Sequence, residues 1–265
     1  VLTGLNEAFV IDAATRERLI AEDPNSAEVI KPFLLGRDVK RYQPPESRQF
    51  IIFTRRKIHI KKYPAIEKHL AQYRNQLLPK PLGWSGEKWG GRKPGNYKWY
   101  EIQDTIEYYA EFEMPKIIYP NICKQPEFTY DESGLYTNQK CFIITKADLY
   151  LLGILNSSVT YFLFKKVLPK LRGDYYEPSF VYFKDFPIHI VDFTDPSKVR
   201  RHTRMVGLVE GMLALHKKLS AALIPQERAV LERQITATDR EIDALVYELY
   251  GLTEEEIMIV EGEGK

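Results

Sequence analysis

From residue 197 onward, apolar side chains recur in alternating steps of four and three, a spacing that gathers them on one face of a helix and on no face of a strand. Leu231, Ile235, Thr238, Ile242, Leu245, Leu249 and Leu252 form one seam, and Met205, Leu208, Met212, Leu215 and Leu219 form a matching one upstream. Pro225 falls between them at a position suited to a first helical turn, Gly251 ends the second seam, and Thr253 with Glu256 has the capping-box form that opens a short further helix. An α-helical hairpin with an acidic end is therefore expected over residues 189–265, and a separate domain over residues 1–188.

The first 188 residues mix two periods. Residues 6–12 and 49–54 read as strands, 14–21 and 64–77 as helices, and 26–35 as a helix capped by Ser26 and closed by Gly36. A helical stretch follows near 104–112. The runs 116–119, 127–130 and 141–145 are short, β-branched or aromatic, and separated by turn residues such as Asp131-Glu132-Ser133-Gly134, which predicts an antiparallel sheet. Residues 147–155 and 159–168 read as buried helices, and 173–187 as an aromatic connection. The expected class is α+β: an antiparallel sheet with flanking helices, followed by the C-terminal hairpin. A content of 44% hydrophobic residues in 265 supplies enough core for this.

Residues 78–98 stand apart, because Pro79, Pro81, Gly83, Gly86, Gly90, Gly91, Pro94 and Gly95 leave no room for a regular element. Long loops in compact domains are commonly functional, and this one places Trp84, Trp89 and Tyr97 among Lys88, Arg92, Lys93 and Lys98.

Charge is segregated along the chain. Between Arg37 and Lys98 sixteen basic residues face four acidic ones, whereas from Asp239 to the end nine acids face Arg240 and Lys265, so the formal charge of +2 hides a polarised sequence. A cationic block of this density would neutralise phosphates and release counterions. The candidates for DNA contact are Arg37, Lys40, Arg41, Arg55, Arg56 and Lys57 as a phosphate track, Trp84, Lys88, Trp89, Arg92, Lys93 and Lys98 as a groove-probing loop, and Arg172 with Tyr175 from a second basic-aromatic cluster. Each has a structural alternative: the tryptophans can hold the loop on the core, and Arg172 and Tyr175 can be a surface ion pair and a packed ring.

Catalytic chemistry is missing from the sequence. No glycine-rich cofactor loop follows a strand, no Asn-Pro-Pro-aromatic motif occurs, and Tyr119-Pro120-Asn121 has the wrong order to replace it. The nearest carboxylate-lysine cluster, Glu111, Glu113 and Lys116, spaces its acids so that a helix would point them apart. Cys123 and Cys141 and the five histidines lack metal-ligand spacing, so no metal is expected, and two buried thiols in a reducing cytoplasm are the expected state. The apolar stretch 147–164 is interrupted by Asn156-Ser157-Ser158, so no membrane partner is expected. A start at Val1 already close to an ordered pattern points to a piece of a longer protein.

Seven motifs in order carry a family resemblance: Gly4-Leu5-Asn6-Glu7-Ala8-Phe9-Val10-Ile11-Asp12, Leu34-Leu35-Gly36-Arg37-Asp38-Val39, Tyr63-Pro64-Ala65-Ile66 with Leu70, Lys98-Trp99-Tyr100-Glu101-Ile102, Pro115-Lys116-Ile117-Ile118-Tyr119, Leu155-Asn156-Ser157 and Phe186-Pro187-Ile188. Together they resemble the TaqI-like specificity domain at the C-terminal side of adenine methyltransferases and type IIG restriction-modification enzymes. The resemblance spans roughly residues 2–188, and Leu245-Val246-Tyr247-Glu248-Leu249-Tyr250-Gly251-Leu252-Thr253 is similar to the helical tail of the same enzymes. It implies a twisted antiparallel sheet that grips double-stranded DNA and chooses the target. It also implies a methyltransferase domain of the same polypeptide that binds S-adenosylmethionine, no cofactor in this chain, and no base-reading residue that carries over by position. The competing expectation is a protein-interaction module that docks a catalytic partner through the C-terminal helices.

Overall fold

The computed structural model of the chain describes residues 1–262; Glu263 and Lys265, counted in the acidic tail, lie outside the described residues. In chain order the elements are α1 (Asn6–Phe9), β1 (Val10–Ile11), α2 (Ala13–Glu22), β2 (Ile30–Leu34), β3 (Gln49–Ile52), α3 (Pro64–Ala71), α4 (Arg74–Leu77), β4 (Lys116–Pro120), β5 (Thr129–Asp131), β6 (Tyr136–Thr137), β7 (Cys141–Thr145), α5 (Leu149–Leu155), α6 (Ser158–Val167), β8 (Lys170–Leu171), β9 (Tyr175–Tyr176), α7 (Phe180–Phe183), α8 (Pro196–Ala221), α9 (Pro225–Tyr250) and α10 (Glu254–Glu261). The class is α+β, as expected. The chain folds as two compact units: Val1–Leu35, Glu46–Met114 and Glu132–Gln139 form the first, and Gly36–Pro45, Pro115–Asp131 and Lys140–Lys265 the second.

The first unit is built on a four-stranded sheet in the order β1-β3-β2-β6. β3 pairs antiparallel with β1 and β2, and β6 joins β2 in parallel through Phe33 and Tyr136. Asp12 caps α2 by accepting from the Thr15 amide at 2.8 Å. Four expectations change here. Residues 6–12 begin with a helical turn, and only Val10 and Ile11 pair as a strand. The helix expected over 26–35 is the strand β2 preceded by a 3-10 turn, Pro24–Glu28, because Asp23 rather than Ser26 takes the cap position and Pro32 has no amide to give to a helix. The helix expected over 64–77 breaks between α3 and α4, and the stretch near 104–112 yields only the 3-10 turn Tyr109–Glu113.

The second unit contains the predicted antiparallel sheet, in the order β5-β4-β7. Ile117 stands opposite Tyr130 on one side and Ile144 on the other. Lys116 stands opposite Asp131 and forms an ion pair with it that is shielded from solvent, which pins the register, since a one-residue slip would bury both charges apart. The hairpin forms as read: α8 opens on Pro196 with Asp195 as cap, α9 opens on Pro225, Gly251 terminates it, and Thr253 and Glu256 complete the capping box of α10. Its seam is not free-standing. Met205, Val209 and Met212 of α8 and Ile242, Leu245 and Val246 of α9 share one buried cluster with Leu152 and Ile154 of α5, so residues beyond 188 complete the core of the second unit. No described helix is long and apolar enough to cross a membrane.

Candidate nucleic-acid interface

In the first unit, residues 78–98 form no helix or strand, as expected, yet they are firmly tied. Arg92 is buried at 4% exposure, and its guanidinium donates to the carbonyls of Leu77 (2.9 Å), Thr3 and Glu101 (2.8 Å each), Lys98 (3.2 Å) and Trp99 (3.0 Å). Irregular backbone carries orphan carbonyls, and one planar five-donor group satisfies many of them at once. Burial pulls the Arg92 pKa down to about 10, which leaves it charged at neutral pH. The neck of the loop closes where Lys80 N donates to Arg92 O (3.0 Å) and Arg92 N to Leu78 O (2.9 Å). The Trp89 indole donates to Leu78 O at 3.2 Å, and Trp84 packs edge-on against it with ring centroids 5.0 Å apart.

The end of β3 is clamped in the same way. Thr54 donates to Tyr100 O, Arg56 to the carbonyls of Ile102 and Gln103, and the buried Glu101 carboxylate accepts the amides of Lys57 and Lys98 at 2.9 Å each. The turn that results holds Lys57 at φ 65° and leaves the Arg55 and Lys57 side chains exposed, with Arg55 over the Tyr109 ring at 4.3 Å. Arg55, Arg56 and Lys57 line a cleft of about 500 Å³ with Lys31, His59, Lys62 and the rings of Tyr63, Tyr109 and Tyr136; the acids in its wall are Glu28 and Glu113. Both acids have partners, since Glu113 accepts from Lys31 (2.8 Å) and the Tyr136 hydroxyl (3.0 Å), and Glu28 from the Tyr63 hydroxyl (2.8 Å). The Lys31 bond, more than any other contact, holds the Glu113 carboxyl below its ordinary pKa.

The second unit carries its own cationic cleft, of about 630 Å³. Arg37 and Lys40 enter it from the segment that precedes the sheet, Asn121, Lys124 and Gln125 from the turn after β4, Lys140 from the start of β7, and Tyr175 from β9. One acid, Glu127, lines it, and Lys40 pairs with that acid at 3.2 Å. The Arg37 side chain is 78% exposed and pairs with Asp38 at 3.8 Å, and Lys124 lies over the Tyr175 ring at 5.1 Å. Cations, amides and one ring on a shared concave wall are the groups that hold phosphates and stack on bases.

Residues 31–188, more than half of the chain, match the TaqI-like C-terminal specificity domain. The chain belongs to this family. Among solved structures, that of the type IIL restriction-modification enzyme MmeI in complex with DNA matches 99% of the chain with a TM-score of 0.64 at 12% sequence identity, a likeness of fold. The chain spans about a third of that structure's length, 33%. None of the curated proteins matches it.

This specificity domain divides the fourteen residues expected from sequence to touch DNA. Arg55, Arg56 and Lys57 meet in one cleft, and Arg37, Lys40 and Tyr175 in the other. Trp84, Lys88, Lys93, Lys98 and Arg172 are exposed, and Trp89 is half-buried as a brace of the loop. Two have other work. Arg92 is committed to backbone carbonyls, and Arg41 donates to both carboxylate oxygens of Asp239 and to Asn156 O within the second unit. Sequence reasoning missed Lys31, His59 and Lys62, and Asn121, Lys124, Gln125 and Lys140. Lys140 directly precedes a segment correctly read as a strand and Lys124 lies in the turn between two such segments, so basic residues in and beside the turns of the sheet are the signal the sequence offers. Glu111 and Glu113, the acids of the nearest carboxylate-lysine cluster, sit in the turn Tyr109–Glu113, with Glu113 engaged as described.

Proposed function

We propose that this chain recognises the target sequence on double-stranded DNA for a restriction-modification enzyme, holding phosphates through the cationic clefts of its two units. The observation that carries the proposal is the second cleft, where Arg37, Lys40, Lys124 and Lys140 share a wall with Asn121, Gln125 and an exposed tyrosine, with Glu127 as the acid among the described lining residues and Asp38 beside Arg37. Such a wall attracts the duplex through its phosphates and presents amide groups suited to base edges. In this proposal adenine N6 methylation, and any cleavage, is the work of a domain of the same polypeptide outside residues 1–265 that binds S-adenosylmethionine. Membership of a specificity-domain family supports the division of labour, as does a fold shared with one third of a DNA-bound restriction-modification enzyme.

Selection of duplexes from a random pool by the purified chain tests this reading. Recovery of one short defined motif is the expected outcome, and a recovered pool indistinguishable from the input would overturn it.

A further inference from the structure

The loop of residues 78–98 ends in a side chain that none of the chemistry above uses. Leu82 is 97% exposed, the highest exposure of any large apolar residue among the described ones, and Trp84 beside it is 42% exposed. Leu82 sits at the tip of the turn Pro81-Leu82-Gly83-Trp84, closed by the Trp84 amide on Pro81 O at 3.4 Å, with Gly83 at φ 78° where a side chain would be strained.

The tip is presented by a stiff support. Behind it the neck is bridged at Pro79 and Arg92, the buried Arg92 guanidinium ties that neck to five carbonyls, and the Trp84–Trp89 pair braces the body. At Gly91 a Cβ would stand 2.3 Å from Leu78 O and 2.7 Å from the Trp89 indole nitrogen, so the loop is packed around its tryptophan rather than draped over it. Lys80, Lys88 and Lys93 belong to the same loop, with Glu87 as its acid.

We propose that Leu82 is a wedge that enters between two stacked base pairs of the bound duplex and kinks it, so that part of the domain's sequence choice is a choice of deformable step. The inference rests on the DNA-recognition reading. Leucine has no donor or acceptor with which to read a base edge, whereas an apolar side chain at the tip of a braced, lysine-bearing loop can replace one base's stacking surface while cations of the same loop attract phosphates. Pyrimidine–purine steps unstack most readily, so the wedge favours a TA or CA step at its point of entry.

The test uses the whole chain on the duplex recovered by the selection above, with 2-aminopurine at each adenine in turn and a donor–acceptor dye pair at the ends. Wild type is expected to raise 2-aminopurine fluorescence several-fold at one step and to shorten the end-to-end distance. Leu82→Ala, whose side chain touches solvent and not the core, should lose both signals while its anisotropy titration stays within about threefold, and Leu82→Phe should restore them. Binding by wild type with no unstacking, or unchanged unstacking in Leu82→Ala, overturns the wedge and leaves DNA recognition standing. Failure to recover any duplex overturns both.

Discussion

Arg92→Ala is the perturbation on which a DNA-contact role and a structural role differ most. The substitution removes a buried guanidinium from the carbonyls of Leu77, Thr3, Glu101, Lys98 and Trp99. A hydrogen bond from a charged donor contributes about 1.5–3 kcal/mol net. The five are not additive, because they share one charge and some freed carbonyls regain water, so the loss to stability is about 3–5 kcal/mol. Arg92→Lys keeps the charge but has three donors for five acceptors and should lose about half as much. Urea unfolding followed by tryptophan fluorescence is a suitable assay, since all three tryptophans of the chain, Trp84, Trp89 and Trp99, lie in or next to the loop that Arg92 ties. The salt dependence of DNA binding, extrapolated to the folded fraction, should not move. An unchanged unfolding midpoint together with a salt slope flatter by about 0.9 would place Arg92 on a phosphate and refute the reasoning.

Burial pushes the Cys123 and Cys141 thiols up to about 12, so the native chain should resist thiol reagents at mildly alkaline pH and label at both positions in urea; rapid native labelling would contradict the packing around β4 and β7. Burial lowers the His69 pKa below its ordinary 6.5 while Nε2 meets Ala8 O at 3.0 Å, so the folded first unit prefers neutral His69. Stability from this group is fully present above the unfolded value and declines as pH falls from there toward the folded value, because the unfolded chain takes up the proton first; His69→Gln should flatten the urea midpoint against pH below about 6.5, and an unaltered profile would count against it. Removal of residues 197–262 should unfold the second unit rather than trim a tail, since Met205, Val209, Met212 and Ile242 cover Leu152 and Ile154; a truncated chain with unchanged near-ultraviolet circular dichroism would disprove this.

The parts legible in the sequence are those that local chemistry decides. A four-three seam, a proline at a first turn and a reciprocal cap specify α8, α9 and α10 with little help from the rest of the chain, and the β-branched runs around Ile117 and Ile143 specify β4 and β7. Residues 26–35 mislead because Ser26 and Gly36 mark helix ends only if the backbone between them can donate. Pro32 cannot, and pairing with Phe50 and Gln49 of β3 and with Tyr136 of β6 decides the matter through partners distant in sequence. Arg92 and Arg55 look alike as residues of one cationic block. The difference is whether orphan carbonyls surround the guanidinium, which depends on the course of an irregular loop. The second cleft is half visible in the sequence: Arg37 and Lys40 belong to the basic block, whereas Lys124 and Lys140 reach the same wall only because β4 and β7 are antiparallel neighbours.

DNA recognition through the second cleft is tested most directly by the salt dependence of duplex binding, measured by fluorescence anisotropy between about 50 and 200 mM salt for the wild-type chain and for the double variant Arg37→Gln/Lys124→Gln. The expected result is a linear fall of log K with log salt in the wild type. In the variant the slope should be shallower by about 0.9 for each phosphate that is no longer neutralised, to the same extent on every duplex. No binding at the lowest salt, or a slope that the double variant leaves unchanged, would contradict it.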